Sequence, residues 1–170
     1  MIENIPERVA ARLLANQPVQ NPERPYYVVN ENGCWIWQRA RISHTGYGQL
    51  GWWEDGEVKL VSAARAMFIA VHGSFPAGMV PDHTCHDPET CIERPCPHRA
   101  CVNPDHIEPV TPEANNLRSG SPSAVNAQKA ACKRGHPFDE ANTHIDPRGR
   151  RICRACAREK TRRQSAAKRQ

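Results

Sequence analysis

The 35 residues from Asp82 to Asn116 hold four cysteines, four histidines and three asparagines. The segment opens Asp82-His83-Thr84-Cys85 and passes through Cys91, Cys96 and His98. It continues Cys101-Val102-Asn103-Pro104-Asp105-His106 and closes Thr111-Pro112-Glu113-Ala114-Asn115-Asn116. Thiolates and imidazoles at such short intervals are ligands for a tetrahedral Zn²⁺. A lone His ahead of the box and an Asn on a short helix behind it suit a second, harder cation such as Mg²⁺. Nearer the C-terminus, Cys132-x3-His136 and Cys153-x2-Cys156 supply two more ligand pairs. Four ligands spaced in this way make a closed structural zinc site, whose metal binding would be the folding energy of the piece around it. A redox Cys-x2-Cys lacks its βαβ context here and would leave Cys132 and His136 without a role.

The elements that position these groups have little apolar material to work with. Aromatics are 6% of 170 residues and prolines number 15, so one modest domain with appendages is expected, stapled by its eight cysteines. Disulfides are the alternative staple and would suit a secreted chain. Residues 1–25 carry Glu3, Glu7, Arg8, Arg12, Glu23 and Arg24 and resemble no signal peptide. No apolar run reaches the roughly 18–20 residues of a membrane span. A cytoplasmic, reducing setting is therefore expected, in which cysteine clusters read as metal sites.

Ile5, Val9 and Leu13 form one stripe, which predicts a short amphipathic helix over 5–16 with Pro6 at its start. Residues 18–33 read as an extended connector. Cys34–Trp37, Gly46–Trp53 and Val58–Val61 read as strands of an antiparallel meander. Ala63–His72 reads as a helix ended by Gly73, and Thr111 as the cap of another over about 112–118. Ser119-Gly120-Ser121-Pro122-Ser123 marks a boundary. The organisation expected is an N-terminal helix and connector (1–32), a central domain (33–118), a linker (119–128), a C-terminal zinc finger (129–160) and a basic tail (161–170). The fold class expected is a small, zinc-stapled α+β protein.

Charge is uneven. Residues 129–170 hold 13 Lys/Arg against 4 Asp/Glu, whereas 1–128 hold 10 against 14. A basic end on a weakly acidic body is the footprint of a polyanion binder, although a solvated end that aids solubility would look the same.

The order His83…Asn103…Asn115 resembles the HNH endonucleases. The cysteines make residues 33–118 similar to the zinc-bearing His-Cys box branch of that superfamily, which carries a ββα-metal finger. The resemblance assigns one zinc to Cys34, Cys85, Cys101 and His106, since His83-x-Cys85 and Cys101-x4-His106 match the family spacing. The segment 86–100 is longer than the family's loop. It holds His86, Cys91, Cys96 and His98, which make a third zinc site, the alternative being a reshuffled first site with Cys91 or Cys96 in place of Cys34. The resemblance implies His83 as the general base, Asn103 as the residue holding the loop shut, and Asn115 as the Mg²⁺ ligand, with Asp82 as a possible second. Asn116 would point about 100° away from Asn115 on a helix. Arg65 and Arg118 are candidates for phosphate contact. Arg39, Arg41 and Lys59 lie among the tryptophans of the meander, where Trp35 and Trp37 are expected in the core. Arg154 and Arg158 belong to the finger, whose pattern is similar to fingers appended to phage-type HNH proteins. The activity implied is phosphodiester hydrolysis on double-stranded DNA, by a monomer or a homodimer. The alternative is a non-catalytic zinc-finger nucleic-acid binder, which would need neither His83 nor Asn115.

Overall fold

A computed structural model describes residues 2–17, 23–87, 91–93 and 95–169. The chain divides into two compact units, Met1–Asn115 and Asn116–Gln170.

The first unit begins with helix α1 (Glu7–Leu14), which buries Val9 and Leu13. Strands β1 (Tyr27–Val29) and β2 (Trp35–Trp37) pair antiparallel, as do β3 (Gln49–Glu54) and β4 (Glu57–Ser62). Helix α2 (Ala63–His72) follows directly. The Ser62 hydroxyl caps it by accepting from the Arg65 amide, and Gly73 ends it at φ 87°, a conformation that favours glycine. Strand β5 (Val80–His83) pairs antiparallel with β6 (Ile107–Val110), and the first unit ends within helix α3 (Pro112–Arg118), at Asn115. Pro81 and Pro109 face each other in that ladder; a two-stranded ribbon tolerates them because each strand keeps an open edge. Trp37, Leu50, Val61, Met67, Ile69, Phe75, Val102 and Ile107 form the core with the buried faces of α1 and α2.

Two expectations are corrected here. The strands form no continuous meander: among the described residues every sheet has two strands. β2 pairs with β1, inside the stretch expected to be a connector. Asn16, at φ 52°, holds β1 in place: its Oδ1 accepts from the amides of Tyr26 (2.8 Å) and Tyr27 (3.1 Å), and its Nδ2 donates to the Tyr27 carbonyl. Three residues inside a Pro/Asn-rich stretch give no strand signal, so this pairing depends on tertiary contacts. The β3–β4 hairpin instead packs over Trp37. A Cβ on Gly48 would lie 2.8 Å from that indole and 2.9 Å from the Ala63 methyl, so only glycine permits the approach.

In the second unit the expected linker contains helix α4 (Pro122–Gln128), capped by the Ser121 hydroxyl with Pro122 in its first turn. Strands β7 (Thr143–Ile145) and β8 (Arg151–Cys153) form a hairpin, and α5 (Arg154–Ala167) follows without a break. No helix among the described residues is long and apolar enough to cross a membrane.

Candidate metal centres and the His83 cavity

Three groups of Cys and His gather their ligand atoms so that all members of each lie within 4.8 Å of one another. They are Cys34/Cys85/Cys101/His106, His86/Cys91/Cys96/His98 and Cys132/His136/Cys153/Cys156, the three sets expected from the sequence. Bond lengths of about 2.3 Å to sulfur and 2.0–2.1 Å to nitrogen make the edges of a zinc tetrahedron roughly 3.8 Å between sulfurs and 3.6 Å between sulfur and nitrogen. In the first group, His106 Nδ1 lies 3.6 Å from Cys34 Sγ and 3.7 Å from Cys101 Sγ. In the second, Cys96 Sγ lies 3.4 Å from both Cys91 Sγ and His86 Nδ1, and 3.6 Å from His98 Nδ1. In the third, His136 Nδ1 lies 3.4–3.7 Å from the sulfurs of Cys132, Cys153 and Cys156, and Cys132 Sγ lies 3.7 Å from Cys156 Sγ. Each group can therefore hold zinc. Cys34 completes the first without Cys91 or Cys96, which answers the question of a reshuffled site.

Local backbone chemistry explains the first group. Cys34 follows the tight turn at Gly33, and the Asn30 side chain accepts from its amide at 2.9 Å. Cys101 bridges to Ile36 on β2, and the Val102 amide donates to the Trp35 carbonyl at 2.8 Å. Asn103, 7% exposed, donates from Nδ2 to the Gly33 carbonyl at 2.9 Å and accepts from the Asp105 amide at 3.1 Å. One side chain thus joins the turn that carries Cys34 to the loop that carries Cys101 and His106. The thiols polarise one another. Cys101 is drawn down to about 5, chiefly by the hydrogen bond from Cys85, with help from the Asn103 amide and His106. Cys85 is driven far up by that same bond and by burial, and Cys34 is raised by burial and by the Cys101 charge. One thiolate held beside two protonated thiols and an imidazole is a set that a dication would complete by displacing the two protons.

In the second unit Cys132 and His136 sit on a tight turn, closed by the Gly135 amide donating to the Cys132 carbonyl. Cys153 caps α5, its sulfur accepting from the Cys156 amide, which brings it down to about 6; Cys156, half-buried beside two other thiols, rises to about 11 through desolvation and those thiols. Asn142, which sequence reasoning passed over, donates to the Pro137 carbonyl and to Cys153 Sγ (3.3 Å), and accepts from the Ala155 amide. It supports this group as Asn103 supports the first.

His83 ends β5 and is 9% exposed. Its Nε2 lies 3.0 Å from the Cys101 carbonyl. A carbonyl only accepts, so Nε2 carries the proton and Nδ1 keeps the lone pair. Burial lowers the pKa of the ring against the opposing pull of that carbonyl, which favours the neutral imidazole. A cavity of about 510 Å³ is lined by His83, Asn115, Tyr47, Arg65, Arg99 and Ser62, among others. Asn115 reaches it from α3, whose start is fixed by Thr111: its hydroxyl accepts from the Ala114 amide and its carbonyl from the Asn115 amide. Asp82 does not line the cavity, whereas Val80, Pro81 and His83 of the same strand do. Asn116 is exposed, and its Oδ1 accepts from the Ser121 hydroxyl at 3.4 Å.

The basic candidates have varied surroundings. Arg65 is 5% exposed, lies over the Phe75 ring at 3.9 Å and donates to the Met79 carbonyl at 2.6 Å while lining the cavity. Arg41 donates to the Trp37 carbonyl, Arg39 to that of Arg24, and Lys59 pairs with Glu57. Arg118, Arg154 and Arg158 are exposed. Trp37 is fully buried and Trp35 stacks on Tyr27, whereas Trp53 is 66% exposed. Arg99 and Tyr47 are cavity residues that the sequence did not single out. No family model, curated protein or solved structure matches the chain.

Proposed function

We propose that this protein is a Mg²⁺-dependent endonuclease of the HNH type that cuts double-stranded DNA, with zinc in its three Cys/His groups. One observation carries the proposal: His83, with its lone pair at Nδ1, lines the same cavity as Asn115. The succession β5, β6, α3 around the first Cys/His group agrees with a ββα-metal finger. His83 draws the proton from the attacking water, and its neutral form suits that task. Asn115 holds the divalent cation; Asp82, which does not line the cavity, has no part in that role. That cation, when bound, offsets the charge that develops on the phosphate. Asn103 positions the loop whose Cys101 carbonyl orients the His83 ring. The basic stretch 129–170 grips the phosphate backbone independently of sequence.

Nicking of supercoiled plasmid by the full chain tests the proposal. Cleavage is expected with added Mg²⁺ and not without it. His83→Ala should lose about 10²–10⁴-fold in rate, with DNA binding and zinc content unchanged. Asn115→Ala should lose activity and Asn116→Ala should keep most of it. Unchanged turnover in His83→Ala would remove His83 as the base. DNA binding without cleavage in any divalent cation would leave a non-catalytic zinc-finger binder.

A further inference from the structure

The second Cys/His group lies within residues 86–98, and the nuclease reading gives it no task. Its position in the chain suggests one. Cys96 and His98 belong to this group and Cys101 to the first, and the single helical turn Pro97–Ala100 joins them. Arg99 sits in that turn, between a ligand of one group and a ligand of the other. Its amide donates to the Cys96 carbonyl at 3.2 Å, and the Cys101 amide donates to the His98 carbonyl at 2.9 Å. Ala100 beside it is 2% exposed. The backbone of Arg99 is thus anchored on both sides.

Its side chain is held as well. Nη1 donates to the Thr45 carbonyl at 3.1 Å, and the guanidinium lies over the Tyr47 ring, 5.2 Å from the centroid. Tyr47 in turn lies 6.0 Å from the His83 ring. The turn at 45–47 presses against the segment itself: a Cβ on Gly46, at φ 82°, would meet the Pro95 side chain at 3.1 Å. A guanidinium has five N–H donors in a rigid fork, and among the described residues its one hydrogen bond, to Thr45, leaves most of the fork for the cavity that Arg99 lines with His83 and Asn115. Arg65, which also lines the cavity, is tied to the backbone carbonyls of Ile2 and Met79 and lies over the Phe75 ring. A planar fork at the wall of such a cavity matches the oxygens of a phosphate group.

We propose that Arg99 is the phosphate-binding residue of the cavity, and that the metal held by His86, Cys91, Cys96 and His98 is what seats it there. The substrate assigned to that phosphate rests on the nuclease reading, but the phosphate site itself does not. Loss of this one metal would release the turn 97–100 from one side, and with it the fork.

Inorganic phosphate is titrated into the zinc-loaded full chain, and the ring resonances of Tyr47 and His83 are followed by NMR. The parent is expected to show saturable shifts of both rings. Arg99→Gln, which touches no ligand, should weaken phosphate binding by about tenfold or more with three zincs retained, while Arg99→Lys should fall between the two. Cys91→Ser should lose one zinc and show the same weakening; Cys132→Ser should also lose one zinc but bind phosphate as the parent does. Single-turnover cleavage should fall roughly 100-fold in Arg99→Gln. Parent-like phosphate binding in Arg99→Gln would overturn the site, and parent-like binding in Cys91→Ser with one zinc missing would overturn the metal's role. A parent that binds phosphate in this way yet cuts no DNA would end the nuclease reading and leave the phosphate site standing.

Discussion

Replacing Asn103 with alanine should loosen one zinc out of three. The side chain makes two hydrogen bonds, from Nδ2 to the Gly33 carbonyl and to Oδ1 from the Asp105 amide. A net hydrogen bond contributes about 1 kcal/mol, and a deserted buried partner adds roughly 1–3 kcal/mol more. The surroundings decide which figure applies. Gly33 is half-buried and Asp105 is exposed, so water reaches the deserted groups and the added penalty stays small. The loss is then about 2 kcal/mol, which at 1.4 kcal/mol per decade is a factor of roughly 30. Gly33 precedes Cys34, and Asn103 lies between Cys101 and His106, so the whole loss falls on the first Cys/His group. Supporting residues of metal sites usually alter affinity by about 10–100-fold, which brackets this figure.

The assay is competition with a chromogenic chelator in reducing buffer, resolving three zincs by affinity. One zinc should transfer at roughly 30-fold lower chelator activity than in the parent, while the zinc of Cys132, His136, Cys153 and Cys156 should not move. That group is identified independently by Cys132→Ser. Three unchanged affinities would show that the Gly33 and Asp105 bonds contribute nothing to the site. Equal weakening of all three would show a general loss of fold and refute the local account.

Three further outcomes are expected. Zinc binding to the first group should expel about two protons near pH 7, because Cys34 and Cys85 are raised above the ordinary thiol range while Cys101, at about 5, is already a thiolate. Affinity should therefore weaken as pH falls, and calorimetry in two buffers of different ionisation enthalpy counts the protons; a count of zero would contradict the assignment. Gly48→Ala should destabilise the first unit by about 1–3 kcal/mol, since the added methyl meets the Trp37 ring and the Ala63 methyl. Tryptophan fluorescence under urea reads this, and parent-like stability would mean that the hairpin shifts freely over the core. Removal of residues 129–170 should weaken DNA binding and flatten its log–log salt dependence, because that stretch holds 13 basic against 4 acidic residues; an equal slope for both chains would give the basic end another task.

The three Cys/His groups that could hold zinc are legible because their spacing is itself the chemistry: two thiolates or a thiolate and an imidazole separated by a few residues can meet one ion almost regardless of context. Helix ends were legible for a similar reason. Ser62, Gly73 and Thr111 act through backbone groups within four residues of themselves. The same start signals stand at Ser121-Pro122, but the neighbouring Gly and Ser give the stretch the composition of a linker and mask α4. Pairing partners were not legible. β1 is three residues long and depends on the side chain of Asn16, eleven positions from Tyr27, so no local pattern announces it. The meander failed with it, because β2 had a partner that the sequence did not show.

Arg99 marks where reading along the chain gives out. An arginine in a Cys/His-rich loop is one charge among 23 basic residues. What sets it apart is that one turn joins ligands of two metal groups and that the loop packs on Gly46 and Tyr47 near His83. Those relations exist only after both groups have closed. The same dependence applies to the His83 proton: its position at Nε2 follows from the Cys101 carbonyl, whose place is set by Trp35, Asn103 and the first group together. In a chain with so small an apolar core, metal would set the geometry of the cavity as well as the stability of the fold. The two could then be lost separately. A variant stripped of the second group alone should remain folded around Trp37 and Met67, keep His83 and Asn115 in place, and lose only the fork that would meet the phosphate.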